Sequence, residues 1–207
     1  IPNNSRSNQG IDLINSYLID YIEKSIERSQ STQEIMVEIT RILGLIKSKL
    51  ITTATKQDLQ SLMNTLVNKL MHLRRHLDAD QKKELEQLLC EFKKSDYYGT
   101  LPENFFVQLK DLLSRITERD KNRLEVVKEA DKALGGQHQE RIDQLLAANR
   151  QNAQETRKLL DDCIVLYRSC LAHLEVQQKP MIVPQDEEKN VVEEINSLLN
   201  PKILEQK

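Results

Sequence analysis

No proline occurs between Pro2 and Pro102, or between Pro102 and Pro180, and glycine is equally scarce, with 5 of each in 207 residues. These two residues end helices and turn strands, so long stretches without them leave few places for the chain to reverse. Through both stretches the apolar residues return every three or four positions, the period of a helix with one buried face. An all-β chain of this length would need far more turn residues. The sequence therefore reads as all-α, built from long helices.

Ile11, Ile14, Leu18, Ile22 and Ile26 form the first apolar row and predict a helix from about 11 to 29. Ser31-x-x-Glu34 matches a capping box, in which each side chain satisfies a free backbone N–H at a helix start. A second helix is expected from there, carrying Ile35, Ile39, Ile42, Ile46 and Leu50. Thr55-x-x-Asp58 marks a third start, ahead of Leu59, Leu62, Leu66, Leu70, Leu73 and Leu77. Asp78 to Asp80 is the junction to a short helix with Leu85, Leu88, Leu89 and Phe92. Together these segments make an N-terminal helical bundle over residues 1–95.

Ser95 to Gly99 reads as a loop, and in Thr100-Leu101-Pro102-Glu103 a capping residue, an early proline and an acid agree on a helix start. The helical pattern then runs to Leu134, stops at Gly135-Gly136 and resumes from Gln137 to about residue 178. Two long helices joined by two glycines predict a long antiparallel, coiled-coil-like helical hairpin over residues 100–178, with arms of about 50 and 60 Å. In such a hairpin, facing residues have numbers summing to about 271. The polar run 117–123 then faces 154–148, also mostly polar, and apolar stretches face each other on both sides of it. Asn149, Asn152 and Thr156 fall in the a/d row that links Ile142, Leu145, Leu159, Cys163, Leu166 and Cys170. Polar residues in such a row cost stability and fix register. The base of the second arm is apolar on two sides, wider than one partner helix covers. The hairpin is therefore expected to share a core with the bundle, while its polar distal part, about 117–155, projects into solvent.

Pro180 to Pro184 reads as an extended linker, and Asp186-Glu187-Glu188 opens a short amphipathic C-terminal helix within residues 179–207. Its apolar side is Val191, Val192, Ile195, Leu198 and Leu199, and residues 186–194 carry five acids and one lysine, a net −4. An isolated helix of this length is marginal in water, so it docks on its own bundle or on a partner. Those five residues are the candidate partner-binding site.

Chemistry is sparse. The chain contains no G-x-x-x-x-G-K-[ST], G-x-G-x-x-G, G-x-S-x-G, H-E-x-x-H or paired C-x-x-C motif. His72 and His76 share a helical face at i, i+4, but two ligands make half a zinc site and Arg74 and Arg75 stand between them. No metal and no cofactor is expected. Cys163 and Cys170 would lie about 10.5 Å apart on one helix, too far for a disulfide. With Cys90 they read as small core residues in a reducing, cytoplasmic setting. Residues 41–94 hold eleven Lys/Arg against six acids, a basic patch centred on Lys69, Arg74 and Arg75. A net charge of −2 and the lack of aromatics among the basic residues argue against nucleic acid. Asn3-Asn4-Ser5 matches a glycosylation acceptor, incidental without a secretory leader.

The expected function is therefore non-enzymatic: a helical scaffold, adaptor or effector-type module that binds another protein through its hairpin or C-terminal helix. One alternative is a tether to an anionic membrane or phosphate surface through the basic patch. Another is a helical regulatory domain of a larger enzyme, for which a start at Ile1 is natural. Long hairpins often associate in pairs, which adds a homodimer as a partner class. A protein delivered by a bacterium into a host cell would have the same composition, as would many resident scaffolds.

Overall fold

In the computed structural model, residues 4–52, 56–94, 104–176 and 195 are described, and five helices account for nearly all of them, with no strand among the described residues. They are α1 (Asn4–Ile51), α2 (Lys56–Arg74), α3 (Ala79–Lys94), α4 (Phe105–Ala133) and α5 (Gln139–Val176). The loop at 95–99, the helix start at 100–103 and the linker at 180–184 lie outside the described residues.

The break expected at Ser31–Glu34 does not occur. α1 runs through 48 residues, about 72 Å at 1.5 Å per residue. The polar run that resembles a cap instead serves the interior. Thr32 Oγ1 donates back to the Arg28 carbonyl at 2.9 Å, and Ser29 and Gln33 donate across the bundle to Asp120. A hydroxyl satisfied on the carbonyl four residues earlier leaves the helix intact, and Glu34, the other half of the box, is exposed.

The two glycines turn the hairpin as expected. Gly135 and Gly136 have φ of +105° and +73°, a region that side chains with a Cβ rarely enter. The Gly136 N–H donates to the Asp131 carbonyl at 2.8 Å and the Gly135 N–H to the Lys132 carbonyl at 3.2 Å, the two bonds of a Schellman close. Asp131, 2% exposed, turns its carboxylate to the start of α5, where Oδ2 accepts the His138 N–H at 3.1 Å. Lys128 pairs with Asp143 at 2.7 Å and Lys110 with Asp161 at 2.5 Å. Both pairs of numbers sum to 271, so the arms meet in the expected register.

α1 lies antiparallel to α4 and parallel to α5. Gln33 donates to the Leu145 carbonyl at 2.9 Å, Thr40 meets Asn152 at 2.9 Å and Lys47 meets Asp162 at 2.9 Å, advancing together along both helices. The distal half of the hairpin therefore does not project alone; α1 fills its groove almost to the tip. α2 runs back along α1, and α3 runs along α4, where Glu84 pairs with Arg115 at 2.6 Å.

The result is a tapering molecule. At the base all five helices share one core, with Ile39, Leu43, Leu70, Leu89, Leu109 and Leu160 fully buried. A run of rings at 5.2, 5.6 and 5.7 Å, Phe92–Phe105–Phe106–Tyr167, joins α3, α4 and α5 there. Such contacts add packing energy beyond buried area. Past the α2–α3 turn only α1, α4 and α5 continue, around a smaller cluster of Ile22, Ile26, Val127 and Ile142.

Polar groups separate the two cores. Asp120, 7% exposed, accepts Ser29 Oγ at 3.0 Å, Gln33 Nε2 at 3.4 Å and Asn149 Nδ2 at 3.2 Å, all on Oδ2. Burial nevertheless pushes its carboxyl above the ordinary range, against these donors. Asn149, Asn152 and Thr156 are buried at 5%, 7% and 3%, as their a/d positions require. Sliding any helix would strand these groups without partners, so the layer sets register. At the same level the α2–α3 turn is clamped. Arg28, Arg119 and Arg123 converge on Asp78, and Arg119 also holds Asp80 through two bonds of 2.9 Å. That bidentate bond holds the Asp80 carboxyl at about 2.

Candidate protein-binding surface

The hairpin tip meets α1 at Glu23, whose Oε1 lies 3.8 Å from His138 Nε2. N-terminal to that level no described residue of either arm continues, and α1 runs on over residues 4–21, about 27 Å of helix. Ile22 and Ile26, at 1% and 0% exposure, are the last of the first apolar row to be covered. Ile11, Ile14 and Leu18, in the same row, are 55%, 59% and 37% exposed. Leu13, Tyr17 and Tyr21 are exposed beside them. At 3.6 residues per turn these six side chains occupy roughly half of the helix circumference, and the other half carries Asp12, Ser16, Asp20 and Glu23, with Ile19 exposed among them. Taking about 200 Å² for a large side chain, the six leave roughly 650 Å² of apolar surface in water. Patches on monomeric proteins are generally smaller, and larger ones mark interaction sites.

The sites expected from the sequence have a different setting. Ile195 is 2% exposed and belongs to the basal core, so it packs within the chain. Val191, Val192, Leu198 and Leu199 lie outside the described residues. In the basic patch, Lys69 Nζ pairs with Glu38 at 2.5 Å and Arg74 Nε with Glu86 at 2.7 Å. Arg75 is exposed, and no acid pairs with it among the described residues. α1 and α3 thus bring an acid beside two of the three cations. His72 and His76 do not share a regular helical face, because α2 ends at Arg74 and the chain tightens into i→i−3 bonds through Leu77. Among the described residues no three metal-binding side chains converge.

Cys163 is buried, and burial pushes its thiol up to about 12, which leaves it un-ionised and unreactive at neutral pH. The side chain of Cys170 is outside the described set. An open groove of about 570 Å³ runs along the outer side of α4 and α5. It is lined by four cations, Lys121, Arg150, Arg157 and Lys158, and four acids, Glu118, Glu125, Asp161 and Asp162. With balanced charge and an open mouth it neither concentrates a field nor excludes water. Among the described residues no helix is long and apolar enough to cross a membrane.

The exposed extension was within reach of sequence reasoning through two signals. Leu13, Tyr17 and Tyr21 widen the apolar arc of α1 beyond the row of Ile11, Ile14 and Leu18. An unbroken α1 of 48 residues must also overhang a hairpin whose first arm has 29. The second signal was hidden by the capping box. Comparisons with protein-family models, with curated proteins and with solved structures found no match.

Proposed function

We propose that this chain is a non-enzymatic protein–protein interaction module, and that the binding element is the N-terminal extension of α1, held out from the bundle by the hairpin. The observation that carries the reading is the exposed arc of Ile11, Leu13, Ile14, Tyr17, Leu18 and Tyr21. An amphipathic helix of this kind is read by a groove through anchors at i, i+3, i+4 and i+7, and tyrosines are favoured interface anchors. The bundle below it supplies rigidity: α1 enters the extension already helical, so binding spends little free energy on ordering it. Membrane tethering fits less well. Helices that lie on anionic membranes carry Lys and Arg on the polar face, whereas here that face holds Asp12, Asp20 and Glu23.

The test is a photo-crosslinking amino acid placed at Tyr17 and, separately, at Val165, which is 64% exposed on α5. Illumination in cells should give discrete protein adducts from position 17 and none from position 165. Equal adducts from both, or none from position 17, would reject the extension as the binding element.

A further inference from the structure

We infer that the exposed arc of the α1 extension pairs with the same arc of a second copy of this chain, as an antiparallel two-fold dimer centred near Ile14; this rests on reading the extension as a protein-binding element. Two such arcs together offer at most roughly 1,300 Å² of apolar surface for burial, at the lower end of the range of stable specific interfaces. A two-fold contact places one patch against itself, so the patch must tolerate its own charges. This one does near its axis: between residues 10 and 18 the only charge is Asp12, which lies on the far side of the helix, and Asp20 is paired with Lys24 of its own helix at 2.9 Å.

The bundle dictates the direction. From Ile22 onward, the continuation of the Ile11, Ile14 and Leu18 row is covered by the hairpin, through Val127 and Ile142. In a parallel pairing each hairpin would claim the volume of the other. An antiparallel pairing sends the two bundles to opposite ends. With the axis near Ile14, facing residues have numbers summing to 28, so the start of one helix at Asn4 reaches the level of Lys24 on the other, beside its hairpin tip. The overlap then fills the extension and stops where the hairpin begins. In that register Ile14 meets Ile14, Ile11 meets Tyr17, and Gly10 meets Leu18. A Cβ added at Gly10 would meet nothing within 4 Å in the single chain, so the partner's leucine has room there. Of the chain's own C-terminal segment, the described residue, Ile195, lies in the basal core and not on the extension.

Sedimentation equilibrium of the full chain from about 1 to 200 µM provides the test, beside two variants. The wild-type mass should rise from 24.1 kDa toward twice that value as concentration increases. Ile14→Asp puts two carboxylates at the axis and should remain monomeric throughout, with unchanged helicity because Ile14 is exposed. Ile19→Asp, also exposed but outside the arc, should dimerise like the wild type. A wild-type chain that stays monomeric, or an Ile14→Asp variant that still dimerises, overturns the proposal. A monomeric chain whose position-17 crosslinker captures a different protein would overturn the dimer and leave the interaction-module reading standing. A monomeric chain with no adduct would overturn both.

Discussion

Asn149 is the side chain through which the hairpin closes on itself in the polar layer, and its replacement by alanine is a direct test of whether that layer stabilises the fold. The residue is 5% exposed, and its Nδ2 donates to the Thr117 carbonyl at 3.1 Å and to Asp120 Oδ2 at 3.2 Å. A hydrogen bond to a neutral carbonyl contributes about 1 kcal/mol net and one to a carboxylate about 2 kcal/mol. Asn149→Ala also leaves Asp120, already disfavoured by burial, with donors from α1 alone. The expected loss is about 3 kcal/mol. With a urea m-value of about 2 kcal/mol per M, the unfolding midpoint should fall by about 1.5 M. Gln154→Ala, exposed on the same helix, should shift stability by less than about 0.5 kcal/mol. A cycle with Ser29→Ala should show coupling of about 1 kcal/mol, because both side chains share Asp120. A midpoint for Asn149→Ala within about 0.3 M of the wild type would refute the reasoning and show that apolar packing alone aligns the helices.

Gly135→Ala should cost about 1–2 kcal/mol in chemical denaturation, entirely through the backbone at φ +105°, since an added Cβ meets nothing within 4 Å. Stability should respond to pH with opposite signs at two aspartates. Asp120 is raised by burial, so its contribution is full below the ordinary aspartate range and is lost as pH climbs through the raised value; Asp120→Asn should abolish that decline. Asp80 is held at about 2 by Arg119, so its contribution is full above 3.8 and is lost as pH falls through about 2, and Arg119→Ala should flatten this acid limb. Urea midpoints measured at a series of pH values separate the two. Ile26→Ala, fully buried in the upper core, should cost about 3 kcal/mol. Ile14→Ala, exposed, should cost less than about 0.5 kcal/mol at concentrations where the chain is monomeric.

Much of the architecture could be read residue by residue. The helical period of the apolar rows, the absence of internal proline and the pair at Gly135-Gly136 are local properties of the chain, and local properties suffice for helices and tight turns. The register of the arms followed as well, because a two-glycine turn leaves little freedom, and Asn149, Asn152 and Thr156 sit buried where the a/d pattern puts them. The expected break at Ser31–Glu34 does not form: a capping box is also a local signal, whereas the partner its neighbour Ser29 serves is Asp120, about ninety positions away in the chain. Ser29 and Gln33 are polar for that distant partner, not for a helix end. Likewise Lys69, Arg74 and Arg75 look like one patch until the fold brings Glu38 and Glu86 beside two of them.

The candidate site shows the same division most sharply. That Ile11, Ile14 and Leu18 lie in one row with Ile22 and Ile26 was determined by their spacing alone, since 3.6 residues per turn place them on one side of any helix. Which of them is covered was decided only by where α4 and α5 end beside α1. The docking level of the hairpin buries Ile22 and leaves Leu18, one turn further out, partly in water. Periodicity specifies direction around a helix and carries no information about how far along it a partner extends. That distance depends on the sum of contacts made between segments more than a hundred residues apart in the chain, such as Gln33 with Leu145 and Thr40 with Asn152.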